Sequence, residues 1–282
     1  MKIPSLLQDY KKFEKLAKKY DGVSESLNTS SEYFLGPATI VPLLCFAETN
    51  NIHEIITHQN TYDFVNRVLN HRETSTTKPF VNLPKTRKEF IENRSATEVA
   101  EKINSDYGGY YAIHDICSEL IGNIYNHTPM EKGYAHQGYS FAQEYYNAKK
   151  LDICVMDDGL SIPGKFEEKN KSFIDDCDAI SQAIIPGVTT AKDEETDIRY
   201  SRGHGLSTIL SLVIDGNNGE ALIVSRQGCL HITNDDYKYI LLDNKDIFKG
   251  TLITLRLNKN PIENYYDILE LTSMRSKFKY EI

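Results

Sequence analysis

Glu119 and Asn123 stand one helical turn apart in the segment SELIGNIYNH, and a carboxylate and an amide held side by side suit two kinds of chemistry. The carboxylate can activate a water, and the amide oxygen can bind Mg²⁺, a hard cation that takes oxygen ligands and accompanies phosphate. His127 falls near them at the end of the same segment. Alone, a Glu and an Asn four residues apart are a common solvated helix surface. Downstream, Asp157-Asp158-Gly159 in VMDDGLSIP follows an apolar strand, where the chain must turn out of a sheet. A carboxylate there can accept the exocyclic amino hydrogen of adenine through a charge-assisted bond, although Asp-Gly after a strand is also an ordinary turn. Gly203-His204-Gly205 precedes a helical stripe that starts at Leu206. Backbone N–H groups at such a helix start can face phosphate oxygens with no side chain in the way, and Arg202 adds a cation. No GxxxxGK[ST] loop occurs anywhere in the chain, so an ordinary phosphate loop is excluded.

The elements that must hold these residues can be read from periodicity. Apolar side chains at three- and four-residue spacing predict an amphipathic helix over 5–20, ended by Asp21-Gly22. Tyr33 to Leu35 reads as a short strand, Ala38 to Glu48 as a helix opened by Gly36-Pro37, Ile52 to Thr57 as a strand and Tyr62 to Leu69 as a helix. The polar, lysine-rich stretch from Glu73 to Glu92 reads as a connection. Helices are expected over 95–104 and 110–126, the second with the most regular stripe in the chain: Ile113, Ile116, Cys117, Leu120, Ile121 and Ile124. Strands follow at Leu151 to Met156, Ala221 to Ser225, Leu230 to Asn234, Tyr237 to Leu242 and Thr251 to Leu257, with a helix from Leu206 closed by Asp215-Gly216. The tail from Asn260 reads as a short helix and a charged end. The expected organisation is a small α/β unit over 1–90, a larger one over 91–260 and a tail over 261–282.

ELIGN, VMDDGLSIP, RGHGLS and GTLITLRL resemble, in order, the successive boxes of the GHKL superfamily of ATP-binding domains, over about residues 95–258. ELIGNIYNH is most similar to the anti-sigma-factor serine kinases within that group. The resemblance implies an α/β (α+β) chain with a Bergerat-type two-layer sandwich and a mixed sheet, binding ATP with Mg²⁺. It implies Asn123 as the metal ligand, Glu119 as general base, Asp157 on the adenine amino group, and Gly159 and Ile162 in the adenine turn. It further implies Gly203, His204, Gly205 and Leu206 at the phosphates beside Arg202, Thr251 near adenine, His127 at the nucleotide, and a lid over 164–202 that includes Thr189 and Thr190. One departure is Ser161, which stands where the family's second glycine would be. FLGPATIVPLLCFAETNNIHEIITHQNTYDFV is similar to STAS-type folds, in which a strand–loop–helix unit recognises partners.

Composition sets the outer limits. A net charge of -8 over 282 residues argues against a general nucleic-acid surface, and no apolar run approaches the roughly 18 residues of a membrane span. A cytoplasmic protein is expected, its five cysteines an odd count without a Cys-x-x-Cys pair and therefore reduced and buried. Three functions stay open: an ATP-hydrolysing conformational switch, a protein kinase acting on Ser, Thr or His of a partner, and a nucleotide-binding module without turnover. No paired long helices precede the boxes to carry a phosphoacceptor histidine, and His53 and His114 sit poorly for that role. A cation for the γ-phosphate must come from Arg202, Lys192 or a partner, so slow or partner-activated turnover is expected, with a protein partner or a homodimer as the setting.

Overall fold

The computed structural model describes residues 3–70, 72, 76–80, 83, 98–101, 106–128, 132–133, 135–185, 205–245 and 247–277. The first helix, α1 (Leu6–Ala17), begins at a capping box in which Ser5 Oγ accepts from Gln8 N–H and the Gln8 side chain accepts from Ser5 N–H. Then come β1 (Ser26–Asn28), α2 (Pro37–Thr49), β2 (Glu54–Ile56), α3 (Gln59–Leu69) and β3 (Thr77–Phe80). The second half holds α4 (Tyr110–His127), β4 (Gly138–Tyr145), β5 (Lys150–Asp157), α5 (Ser161–Glu168), α6 (Asp176–Ala183) and α7 (Gly205–Ile214). It ends with β6 (Glu220–Ser225), β7 (Gly228–Thr233), β8 (Tyr237–Leu241), β9 (Thr251–Asn258) and α8 (Tyr265–Lys277). No helix among the described residues is long and apolar enough to cross a membrane.

Seven strands form one sheet in the order β3-β4-β5-β9-β6-β7-β8, and the class is α+β. Every described pair in it is antiparallel, which corrects the mixed sheet expected for the larger unit. Short reversals dictate this outcome: β4 turns into β5 through Lys149 at φ 52° and β6 into β7 through Arg226 at φ 51°, and so tight a link joins only antiparallel neighbours. Among the described strands the parallel pair is the small β1–β2 ladder, where α2 provides the crossover.

Helices cover both faces of the sheet: α4 and α7 lie on one face, as in the two-layer sandwich expected over 91–260, and α1, α2 and α3 add a third layer on the other. On one face Leu151, Ile153, Val155, Ile223, Ile253 and Leu255 pack with the stripe of α4 and with α7 and α8. On the other, Phe141, Cys154, Met156, Leu222, Val224 and Leu252 share a core with α1, α2 and α3. The region expected as a small unit over 1–90 thus buries its helices against the same sheet. Helix α2 packs against α1 and against β4, β5 and β9, which is why Pro37 through Ala47 are all buried. Tyr33 to Leu35, expected as a strand, joins no ladder among the described residues. Lys12 donates to the Phe34 carbonyl and stacks over its ring, Leu35 enters the core, and the buried Asp9 carboxylate accepts Gly36 N–H at 3.0 Å and Thr39 Oγ1 at 2.7 Å. The loop is shaped by α1 instead of by a ladder. The five cysteines are free and buried, as expected.

Arg256 on β9 joins the layers. Its Nε and Nη2 donate to the two Asp152 carboxylate oxygens on β5 at 2.6 and 2.7 Å, and its Nη1 donates to Glu220 Oε2 on β6 at 3.1 Å and to the Pro4 carbonyl at 2.7 Å. Glu220 Oε1 in turn accepts Leu6 N–H at 2.7 Å and lies 2.8 Å from His231 Nε2 on β7. Burial works against the Arg256 cation, yet the Asp152 and Glu220 carboxylates hold its pKa above the ordinary value. Removing one partner of a buried, bidentate pair leaves an uncompensated charge, a loss of about 3–5 kcal/mol. Arg256→Ala is therefore expected to lower the urea-unfolding free energy by that amount and to increase amide exchange in α1; an unchanged midpoint would show that the pair holds nothing together.

Candidate functional site

Helix α4 points its stripe at the sheet and leaves Glu119 exposed, with Asn123 and His127 half-buried on the same side. Helix α7 starts directly against it. A β-carbon on Gly205 would fall on the Glu119 carboxylate, so a larger residue at the first position of α7 would push that side chain away from the helix start. The Glu119 carboxylate and the helix start expected to meet phosphate are thereby brought together, and a negative group at a helix N-terminus is also favourable for the helix dipole. Leu206 is half-buried in the next position. Arg202, Gly203, His204, Thr189 and Thr190 lie outside the described residues.

A second cluster forms where three strands end. Asp157 on β5 is the register partner of Thr251 on β9, and Thr251 is the partner of Ser225 on β6. All three share the parity of the residues that face α4, and all three are buried. Thr251 Oγ1 and Ser225 Oγ are 2.9 Å apart, and Ser225 Oγ accepts Ile162 N–H at 2.9 Å. Gly159 N–H donates to Asp157 Oδ1 at 2.9 Å. A β-carbon on Gly250 would fall 1.7 Å from the Asp157 carbonyl oxygen, so the two backbones meet only because residue 250 is glycine. Asp157, Gly159, Ile162 and Thr251 therefore sit in one corner.

Burial pushes the Asp157 carboxyl up to about 7, with Asp158 adding to the rise, while the Gly159 N–H and the Thr128 hydroxyl at the end of α4 pull it down. Asp158 instead pins the segment before β4, its Oδ1 accepting His136 N–H at 2.8 Å and Gln137 N–H at 2.9 Å. Ser225 belongs to none of the sequence boxes. The available signal is its place as the last residue of an apolar strand, before the Arg226-Gln227 turn.

Ser161 has φ 72°, a left-handed backbone that glycine adopts freely and other residues adopt at about 1–2 kcal/mol. The turn that the resemblance assigns to a glycine is thus made by a residue with a β-carbon, aided by Ser161 Oγ accepting Gly164 N–H at 3.2 Å. Of the span expected as a lid, residues 164–185 instead contain most of α5 and all of α6. Phe166, Ala179 and Ile180 are buried, and Arg226 holds Glu167 through two 2.7 Å bonds. Apolar anchors at helical spacing outweigh the surrounding charge. Residues 186–202 lie outside the described residues.

Among the described residues no group of three or more His, Cys, Asp and Glu could hold a metal ion by itself. Asn123 is a single oxygen donor on the Glu119 side of α4, which suits Mg²⁺ only where phosphate oxygens complete the set.

A carboxyl raised from 3.8 to about 7 favours the protonated form in the folded state, so its contribution falls as pH rises from about 4 to 7 and is then constant, by about 4 kcal/mol in all. Asp157→Asn should remove that slope from urea-unfolding free energies measured across the range; an unaltered slope would refute the assignment. Ser161→Gly should be more stable than Ser161→Ala by about 1 kcal/mol in the same assay, because both lose the hydroxyl and only alanine keeps the strain.

No protein-family description matches this chain, and no curated protein sequence matches it either.

Proposed function

We propose that this chain binds Mg·ATP across the α4–α7 side of the sheet and hydrolyses it, using the change in occupancy as a conformational switch. The observation that carries the proposal is Asp157: a buried carboxylate with no cation beside it among the described residues, held at a strand end by Gly159 and Thr128. Such a group disfavours the folded state when ionised, and strongly perturbed carboxyls in a polar corner are characteristic of binding sites. Its ionised form would accept the adenine amino hydrogen, with Gly159, Ile162 and Thr251 around the base. Glu119 lies nine residues before Thr128, a rise of ~13 Å, so the base would lie at the carboxyl end of α4 and the phosphates near its middle.

At the phosphate end, Gly205 allows close approach of the backbone and Glu119 would take a proton from the attacking water. Asn123 would offer its oxygen to Mg²⁺, which neutralises charge on the phosphoryl oxygens when bound. The same residues support transfer to a protein hydroxyl or imidazole if a partner supplies the acceptor in place of water.

The test uses γ-labelled ATP with the pure chain and Mg²⁺. Saturable binding, weakened ~10–100-fold by Asp157→Asn, is expected. Release of free phosphate, reduced at least ~100-fold by Glu119→Ala with binding retained, is expected as well. Label on a protein side chain would assign phosphotransfer instead of hydrolysis, and absence of saturable ATP binding would overturn the proposal.

A further inference from the structure

Strand β8 closes one end of the seven-stranded sheet and pairs only with β7 among the described strands. Thr233 and Asp236 exchange backbone bonds at 2.8 and 3.5 Å, and Leu242 N–H donates to the Gln227 carbonyl at 2.7 Å. Antiparallel ladders alternate bonded and non-bonded pairs, so between those two points Lys238 and Ile240 direct their backbone groups to β7. Tyr237, Tyr239 and Leu241 direct theirs outward. These same three residues have exposed side chains, at 50, 40 and 60 % of full accessibility. They lie on the α4 side of the sheet, since Tyr237 opposes Ile232 and Tyr239 opposes Leu230.

An edge that presents tyrosines and leucine beside open N–H and C=O groups lacks the usual protections against pairing, such as unpaired charge, proline or a bulge. Its one positive charge, Lys238, is neutralised by an ion pair with Asp236 of the same chain.

We propose that β8 pairs antiparallel with β8 of a second copy of this chain, across a twofold axis at Tyr239. Tyr239 then opposes itself and Tyr237 opposes Leu241 of the other copy. Among twofold registers, only this one matches all three outward residues of each strand, so every outward N–H finds a carbonyl. It also places aromatic and aliphatic side chains opposite one another on one face, the cross-strand pairs that stabilise a sheet. Lys238 is already paired, and just beyond the strands the register sets Asp235 opposite Asp243 of the other copy, a like-charge contact eased by the Lys18 partner of Asp243. Five-residue strands bury less than the ~1,200 Å² of a stable interface, so the association is reversible and depends on concentration. The inference is independent of nucleotide binding.

Sedimentation equilibrium of the full chain from micromolar to millimolar concentration tests it. The weight-average mass should climb from 32.2 kDa toward twice that value. Tyr239→Pro removes an outward donor, a change tolerated on an edge strand, together with the ring at the twofold axis and its bond to the Tyr237 hydroxyl, and should hold the mass at the monomer with the thermal transition retained. Leu241→Lys, which leaves the backbone intact, should weaken the dimer at least ~10-fold by replacing an apolar cross-strand pair with charge. A wild-type chain that stays monomeric at millimolar concentration, or a dimer unaffected by either change, would overturn the proposal, and a complex with another protein at this edge in place of self-pairing would reassign the occupant.

Discussion

The salt bridge between Arg256 and Asp152 sits at the centre of the molecule, and much of the arrangement is hard to assemble without it. Both groups are buried on the face covered by α1 and α2, where desolvation is severe and only a two-pronged geometry with further hydrogen bonds offsets it. Glu220 and His231 extend the cluster over β6 and β7, and the Pro4 carbonyl and Leu6 N–H complete it. Four neighbouring strands and the start of α1 are thereby fixed relative to one another. The apolar contacts of Leu6, Tyr10 and Phe13 can then close over a sheet whose position is already set. Hydrophobic burial provides the larger driving force, but it is not directional; the ion cluster selects the alignment.

β5 carries two buried aspartates with opposite circumstances. Asp152 has a guanidinium fork and is structural. Asp157 has only a backbone N–H and a hydroxyl among the described residues; burial raises both carboxyls, Asp152 to about 6 and Asp157 to about 7, and only Asp152 has a cation opposing the rise. The contrast matters because burial alone does not mark a site: buried acids usually have a cation, and the one lacking it is where a ligand has something to add. The Glu119–Gly205 contact has the same character, since a missing side chain there leaves room for a carboxylate against a helix start.

Long-period patterns were legible in the sequence. The α4 stripe, the apolar run of β5 and the successive strands β6 to β9 follow from spacing alone, and the proximity of Asp157, Gly159 and Thr251 was expected only from the resemblance of their segments to a known order of boxes. β4 was not legible, because GYSFAQEY has six consecutive buried positions, Gly138 to Gln143, and shows no polar alternation to distinguish it from a loop rich in small residues. The Pro79-containing β3 reads as a connection for a related reason, since proline is tolerated only where a ladder donor is dispensable. Nor could the shared core of the amino-terminal helices be foreseen. It rests on Arg256 meeting Pro4 across 252 positions, and pairing at that range leaves no local trace. Ser161 shows the opposite case: its type argued against a left-handed turn, and the surrounding contacts imposed one.

The ion cluster and the Asp157 corner use the same three strands. Asp152 and Asp157, Glu220 and Ser225, and Thr251 and Arg256 are each separated by five positions, on β5, β6 and β9 respectively. Because side chains alternate along a strand, an odd interval sends the two members of every pair to opposite sides. The interval is therefore as much a constraint as the residues themselves: one deletion between Asp152 and Asp157 would send either the arginine's partner or the corner's acid to the wrong layer. Point substitutions in these stretches exchange one side chain at a time, whereas a change of length reverses orientation for a whole half-strand. Tolerance of insertions should accordingly be confined to the turns, and these three strands can diverge in composition far more readily than in count.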